Sequence, residues 1–306
     1  MYQVRRASRS EFVPIRNLSY HVNVWGHPAP GRAPLVLMHG WMDVGASYQF
    51  MVDALQHEHF IIAPDWRGYG RTGSAGADNF WFPDYLADLD FLLDHYAPDQ
   101  PVNLVGHSMG GNVVTMYAGV RPERVRRLIN LEGFGMPATR PSQAPGRYAK
   151  WLDELKAYHR GEMALRDYDS VEGVARRLMK TNPRLARDEA GRHKAEWLAG
   201  HWAGTTAEGR WAILGDAAHK IINANLYRVD EVLELLARIT APTLVVTAGD
   251  NSLDGWWKGK FTLDEFFERM RAVANLRHER IEDAGHMLHH DQPLALASLI
   301  EAFIAD

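Results

Sequence analysis

The 306-residue chain contains no cysteine. This absence excludes disulfide bonds, cysteine nucleophiles and zinc sites built on thiolates. No apolar run approaches the roughly 18 residues that a membrane-spanning helix needs. An N-terminal cluster of arginines (Arg5, Arg6 and Arg9) is not followed by the apolar stretch of a secretory signal. We therefore expect a protein of the reducing cytoplasm that does not enter the membrane.

The chain also has little net charge. Its formal charge of −4 at pH 7 gives no electrostatic reason to bind nucleic acid or an anionic membrane surface. We expect neither as a partner, and the composition leaves the oligomeric state open. A hydrophobic content of 46% with 24% charged residues is typical of a globular protein, and 306 residues suffice for one large domain with an insertion.

Short apolar runs alternate with helix-like stretches from residue 35 onward. The runs cover residues 35–38, 60–63, 102–105, 127–131, 243–247 and 277–281. Continuous apolar runs separated by helices are typical of a mostly parallel sheet that is covered on both faces. A loose alternation over residues 12–25 predicts one or two antiparallel strands as well. The predicted fold is therefore α/β, a doubly wound, mostly parallel sheet of about eight strands with helices on both faces.

The most informative motif is Gly106-His107-Ser108-Met109-Gly110, a G-x-S-x-G pattern. It directly follows the apolar run 102–105 and precedes a predicted helix over residues 112–120. A serine on a sharp strand-to-helix turn projects its hydroxyl clear of the sheet, and the flanking glycines leave room for the strained backbone. The pattern predicts that Ser108 is a nucleophile.

Three further motifs follow predicted strands, where ligand sites of parallel sheets form. They are His39-Gly40-Trp41, Asp65-Trp66-Arg67-Gly68-Tyr69-Gly70 and, near the C-terminus, Gly285-His286. With the serine motif, these segments and their order resemble the α/β-hydrolase fold superfamily from about residue 35 to the end. The resemblance implies a serine hydrolase without identifying its substrate.

The regular alternation breaks between about residues 136 and 236, a segment with helix-like periodicity. In the resembled superfamily, insertions at this point form a helical cap over the active site. We therefore predict a core domain of residues 1–135 and 237–306 and a helical cap of 136–236. Most of its large aromatic side chains are expected to pack in the cap's own core, with one or two lining the pocket: Tyr148, Trp151, Tyr158, Trp197, Trp202 and Trp211.

The base that activates the serine is expected to be His286, which stands where the resembled family carries its histidine. His289 and His290 are competitors on the following helix or its loop. The resemblance also implies that the backbone N–H groups of Trp41 and Met109 form the oxyanion hole. His39 is expected to be a structural residue that braces the oxyanion loop.

The acid of the expected triad departs from the family's usual pattern. Most relatives carry it after the strand matched here by residues 243–247, but alignment places Ser252 or Asn251 there, and neither can hold an imidazolium. Asp250 lies one or two residues early and Asp254 two late. Glu132 directly follows the run 127–131, where some branches, including haloalkane dehalogenases, place their acid. We predict Glu132 as the acid, with Asp250 as the alternative. A carboxylate that faces the histidine from the position of Glu132 can orient it equally well, because a triad is defined by geometry and not by sequence order.

Two other polar groups have structural interpretations. Asp65 and Arg67 are expected to pair and to tie loops beneath the site. The tract His286, His289, His290 and Asp291 fits no zinc spacing, so we predict no metal. No nucleotide-binding glycine loop is present, and we expect no cofactor.

The predicted function is hydrolysis of a small-molecule carboxylic ester, with a small or medium apolar acyl group, through an acyl-enzyme. Lactonases, thioesterases, carbon–carbon bond hydrolases and cofactor-free haloperoxidases use the same serine triad and stay open. A second class is a catalytically silent binding protein on the same fold, like the N-myc downstream-regulated proteins. The presence of both Ser108 and His286 favours the enzyme.

Overall fold

A computed structural model describes residues 1–305. Its strands are β1 (Arg9–Ile15), β2 (Leu18–Trp25), β3 (Leu35–Met38), β4 (Ile61–Pro64), β5 (Val102–His107), β6 (Val125–Leu131), β7 (Asp167–Tyr168), β8 (Ala203–Thr205), β9 (Trp211–Ile213), β10 (Thr243–Ala248) and β11 (Leu276–Ile281). Its α-helices are α1 (Gln49–Ala54), α2 (Phe82–Tyr96), α3 (Met109–Val120), α4 (Ala144–His159), α5 (Val171–Thr181), α6 (Glu189–Trp202), α7 (Val229–Ala237), α8 (Ser252–Trp257), α9 (Leu263–Met270), α10 (Leu288–Asp291) and α11 (Pro293–Ala305).

Eight strands form one sheet in the order β1-β2-β4-β3-β5-β6-β10-β11. The contacts of β2 with β1 and with β4 are antiparallel, and every pairing from β4 to β11 is parallel. The predicted α/β fold with a mostly parallel, eight-stranded sheet is confirmed. The apolar runs located the strands to within two residues because buried parallel strands are apolar on both faces.

Helices cover both faces of the sheet. Alternate residues of β3 point to opposite sides, so that Val36 and Met38 join one buried cluster and Leu35 and Leu37 join another. Helices α2, α3 and α7 supply the first cluster, and α1 and α11 supply the second. Among residues 1–305, no helix is long and apolar enough to cross a membrane.

Segment 136–236 is not purely helical. Besides α4 to α7 it contains a separate three-stranded sheet, β7-β9-β8, whose strands are only two or three residues long. Strands this short leave no detectable alternation in the sequence. Helix α7 packs against α3 and so belongs to the helix layer of the main sheet. The division into a core domain and a cap stays a prediction.

Candidate active site

Ser108 lies on the sharp turn between β5 and α3, with φ 52° and ψ −114°. This left-handed backbone costs about 1–3 kcal/mol for a residue with a side chain. The turn is possible because the chains approach closely on both sides of the serine. A Cβ at Gly106 would lie 2.3 Å from the Gly110 oxygen, and one at Gly110 would lie 2.1 Å from the Met38 oxygen. Both glycines of the motif are therefore sterically required.

The predicted oxyanion-hole residues lie on the two segments that flank the serine. Met109 is the first residue of α3, where backbone N–H groups have no partner within the helix. The turn after β3 packs against the serine, since a Cβ at Gly40 would lie 3.2 Å from the Ser108 Cβ. Trp41 follows in that turn and lines the same cavity as Ser108. Their oxyanion role stays a prediction.

His286 follows β11 and lines the cavity together with Ser108. Its Nδ1 lies 3.3 Å from Oε2 of Glu132. The ring of Trp256 stands edge-on to the imidazole, with 4.4 Å between ring centroids. The histidine side chain keeps 23% of its surface exposed, whereas that of Glu132 keeps 1%. The imidazole is thus held between a buried carboxylate and an open cavity.

Glu132 is fixed by two further hydrogen bonds. Its Oε1 accepts from the Ala248 N–H at 2.8 Å, and its Oε2 accepts from the Ser252 hydroxyl at 2.7 Å. The carboxylate can reach the end of β10 because β6 and β10 are neighbours in the sheet and end at the same edge. Ser252, one of the two residues that alignment places at the usual acid position, donates a hydrogen bond to the Glu132 carboxylate.

Asp250, the alternative acid, has a different partner. Its two carboxylate oxygens accept from the guanidinium of Arg184, at 2.6 and 3.1 Å. That hydrogen bond holds the pKa of Asp250 below its usual value. The aspartate side chain is 60% exposed. Of the two predicted carboxylates, Glu132 is the one that contacts the imidazole of His286.

His107, which the sequence analysis did not single out, connects the serine turn to the histidine loop. Its Nε2 lies 2.7 Å from the backbone oxygen of His286, which can only accept, so Nε2 carries the proton. Burial lowers the pKa of His107 well below its usual value, so the ring is neutral at pH 7. Its Nδ1 is therefore an unprotonated acceptor, and it is buried without a hydrogen-bond partner.

The neighbouring histidines contact Ser47. His289 and His290 lie on α10, as expected, and both rings are buried around the Ser47 hydroxyl at 3.0 and 2.6 Å. Asp43, His107 and His289 carry side-chain atoms of the kind that bind metal ions. These atoms lie within 4.8 Å of one another. The 3.8 Å from His289 Nε2 to Asp43 Oδ2 exceeds the roughly 3.4 Å between ligands of tetrahedral zinc. The absence of a metal stays a prediction.

The motif after β4 is structural, but its two charged residues do not pair. Asp65 accepts from the Gly45 and Arg71 backbone N–H groups at 2.7 and 2.9 Å. Arg67 binds Asp88 on α2 with two hydrogen bonds. The expected Asp65–Arg67 pair is therefore wrong. The Asp65 carboxylate is occupied by backbone N–H groups, and the Arg67 guanidinium binds the Asp88 carboxylate. Nearby, the buried ring of His39 accepts from the Trp66 N–H at 2.9 Å, a bracing contact as expected.

One cavity of about 1250 Å³ contains the site. Near Ser108 and His286 its lining includes Trp41, Met42 and Trp256. Of the six aromatic residues singled out in segment 136–236, Trp202 lines the cavity, and its indole N–H donates to the Met42 oxygen at 2.8 Å. Trp197 on α6 packs instead against Tyr2 and Phe50, outside segment 136–236.

Comparisons with known proteins agree with this architecture. The family model for the α/β hydrolase fold matches residues 33–293, so the chain belongs to that family. It is 26% identical over 307 residues to a serine hydrolase-like protein of Danio rerio, covering 98% of this chain and 90% of the relative.

Two solved structures share the fold. A thioesterase domain from the curacin biosynthetic pathway superposes with a TM-score of 0.80 at 24% identity, covering 96% of this chain and 99% of the other. An esterase of Mycobacterium tuberculosis superposes with a TM-score of 0.70 at 20% identity, covering 98% and 93%.

Proposed function

We propose that this chain is a serine hydrolase that cleaves a carboxylic ester through an acyl-enzyme. The observation that carries the proposal is the contact of His286 Nδ1 with Glu132 Oε2 at 3.3 Å, beside a cavity that Ser108 also lines. A carboxylate on Nδ1 leaves Nε2 of the imidazole as the basic nitrogen and stabilises the imidazolium that forms. The relative described as serine hydrolase-like, similar over nearly its whole length, supports the same class.

In the proposed mechanism His286 accepts the Ser108 hydroxyl proton as the serine oxygen attacks the ester carbonyl. The backbone N–H groups of Met109 and Trp41 hold the negative charge that forms on the carbonyl oxygen. His286 then gives its proton to the departing alcohol, leaving an ester of Ser108. Water, deprotonated by the same histidine, hydrolyses that ester and restores the serine.

Apolar side chains in the cavity favour an apolar portion in the acyl group. They come both from the sheet side, with Met42 and Met287, and from the insertion, with Leu165, Leu198 and Ile213. A pocket of this kind binds hydrocarbon by burial of apolar surface, worth roughly 25 cal/mol per Å². A small or medium acyl chain fits the volume of about 1250 Å³.

The test is a panel of p-nitrophenyl esters, from C2 to C12, measured on wild type and on Ser108→Ala. We expect turnover by wild type and a loss of roughly 10⁶ in kcat for the variant, as for removal of a serine nucleophile. Ser142→Ala, an exposed serine on the loop before α4, is the matched control and should retain full activity. An active Ser108→Ala enzyme would refute the nucleophile, and silence on every ester would favour the binding-protein alternative.

A further inference from the structure

The cavity beside Ser108 carries an excess of positive charge, although the chain as a whole is negative. Six cationic side chains from the inserted segment line it: Arg166, Arg176, Arg177, Lys180, Arg210 and Lys220. The carboxylates in its lining are Asp43, Asp167 and Asp169, and Asp43 is buried. The positive charge is therefore concentrated on the insertion side of the cavity.

Few of these cations are neutralised within the protein. Arg210 pairs with Asp169 at 2.6 Å. Lys220 donates to two backbone carbonyl oxygens, contacts that leave its charge uncompensated. Arg177 and Lys180 form no ion pair with any residue of the described chain, 1–305, and Arg176 has only the more distant Glu172 on its own helix.

Packing explains the apolar face of α5 but not the position of its cationic side chains. Its apolar face, with Val174, Ala175 and Leu178, is buried against α6. Its exposed side carries Glu172 as well as three cations, so the composition of the helix alone does not indicate a site. Here Arg176, Arg177 and Lys180 are exposed side chains that line the cavity, and Glu172 is not among the lining residues. Three cations in a concave wall focus a field that attracts anions.

We propose that the substrate carries an anionic group, a carboxylate or a phosphate, separated from the scissile ester by an apolar portion, and that Arg176, Arg177 and Lys180 bind it. This inference rests on the proposed esterase function for its kinetic test. Guanidinium groups suit both anions because their paired N–H donors match two oxygens at once. The apolar lining then contacts the portion between the anion and the ester.

The kinetic test compares three substrates of matched length. Mono-p-nitrophenyl adipate carries a carboxylate, p-nitrophenyl 5-phosphonopentanoate carries a phosphonate, and p-nitrophenyl 6-methylheptanoate replaces the carboxylate by an isopropyl group. We expect kcat/KM for at least one anionic ester to exceed that of the neutral ester by at least tenfold, mainly through KM. The advantage should shrink as NaCl screens exposed charges. The preferred anion identifies whether carboxylate or phosphate is recognised.

The variant Arg176→Gln/Arg177→Gln/Lys180→Gln should remove this preference, lowering kcat/KM for the anionic esters to the level of the neutral ester. A matched variant with the same loss of charge away from the cavity, Lys150→Gln/Arg238→Gln/Arg271→Gln, should keep it. Equal kcat/KM for all three esters in wild type, or an unaltered preference in the α5 variant, would overturn the proposal.

A binding experiment separates this inference from the esterase proposal. Isothermal titration of Ser108→Ala with monomethyl adipate and with hexyl phosphate measures anion recognition without turnover. Saturable binding that the α5 variant loses would support the anion site even if no ester is hydrolysed. If neither anion binds, the anion site is refuted, whereas Ser108-dependent hydrolysis of the neutral ester would still support the esterase.

Discussion

Replacement of Glu132 by glutamine is the sharpest test of the proposed triad. The native carboxylate accepts three hydrogen bonds, from the Ala248 N–H, the Ser252 hydroxyl and Nδ1 of His286. A glutamine whose oxygen keeps the bond from Ala248 turns its NH₂ group toward His286. Two N–H donors would then face each other, and the imidazole would adopt the wrong tautomer. Loss of the triad acid in this way costs about 10⁴ in kcat, or about 5.4 kcal/mol in activation free energy.

The assay is kcat on p-nitrophenyl butyrate between pH 6 and 9, with the melting temperature as a check on folding. Asp250→Asn is the matched control, since it makes the same chemical change in the alternative acid. Removing the Asp250 charge weakens its pair with the Arg184 guanidinium, and because the Asp250 side chain is 60% exposed this contact is worth about 0–1 kcal/mol of stability. We expect its kcat to stay within about threefold of wild type. A large loss in Asp250→Asn with a nearly normal Glu132→Gln would refute the assignment.

Three further substitutions test other parts of the structure. Trp202→Ala enlarges the cavity and should shift the optimum of the p-nitrophenyl ester panel toward longer acyl chains; an unchanged profile would argue against its role in the pocket. Gly110→Ala places a methyl group 2.1 Å from the Met38 oxygen and should abolish soluble folded protein, whereas Gly146→Ala, with open space around it in α4, should change stability by no more than about 1 kcal/mol. Burial raises the pKa of Glu301, but hydrogen bonds from the backbone N–H groups of Gln56 and His57 and from the side chains of His59 and His57 together lower it by more, so its pKa lies below the usual value. Glu301→Gln should lower the free energy of unfolding in urea by about 1.5–3 kcal/mol at pH 7. This difference should disappear as the pH falls below the pKa of Glu301 in the unfolded chain, near 4.3, and then through its lower pKa in the folded protein. A difference independent of pH would contradict the role of the charge.

The sequence predicted the main sheet and the serine turn because their signals are local. A buried parallel strand is an apolar run, and the serine turn needs its glycines at fixed positions, as the close approach of Gly106 to the Gly110 oxygen shows. The strands β7 to β9 were not predicted, since two or three residues carry no periodicity. The same holds for contacts between distant segments, such as that of His107 with the His286 backbone, because they depend on how loops meet across the sheet edge.

The sequence did not predict the positive charge of the cavity, because that charge also depends on how distant segments meet. The run of arginines in α5 is visible in the sequence, but a basic helix face is usually only solvated. That these residues line the same cavity as Ser108 depends on how segment 136–236 packs against the rest of the chain, which the composition does not contain. The predicted apolar acyl group therefore matches the apolar part of the cavity lining and does not account for the cationic part.

The contacts of the two predicted acids link the site to segment 136–236. Glu132, the predicted acid, directly follows β6, and on the loop after β10 Ser252 donates a hydrogen bond to it. Asp250 on that loop binds Arg184 of the inserted segment, which also donates to the Asp283 backbone oxygen just before His286. Because the Asp250 side chain is 60% exposed, its pair with Arg184 contributes little to global stability. The consequence of these contacts is to fix two segments relative to each other. They join the segment that carries Arg176, Arg177 and Lys180 to the loop that carries His286.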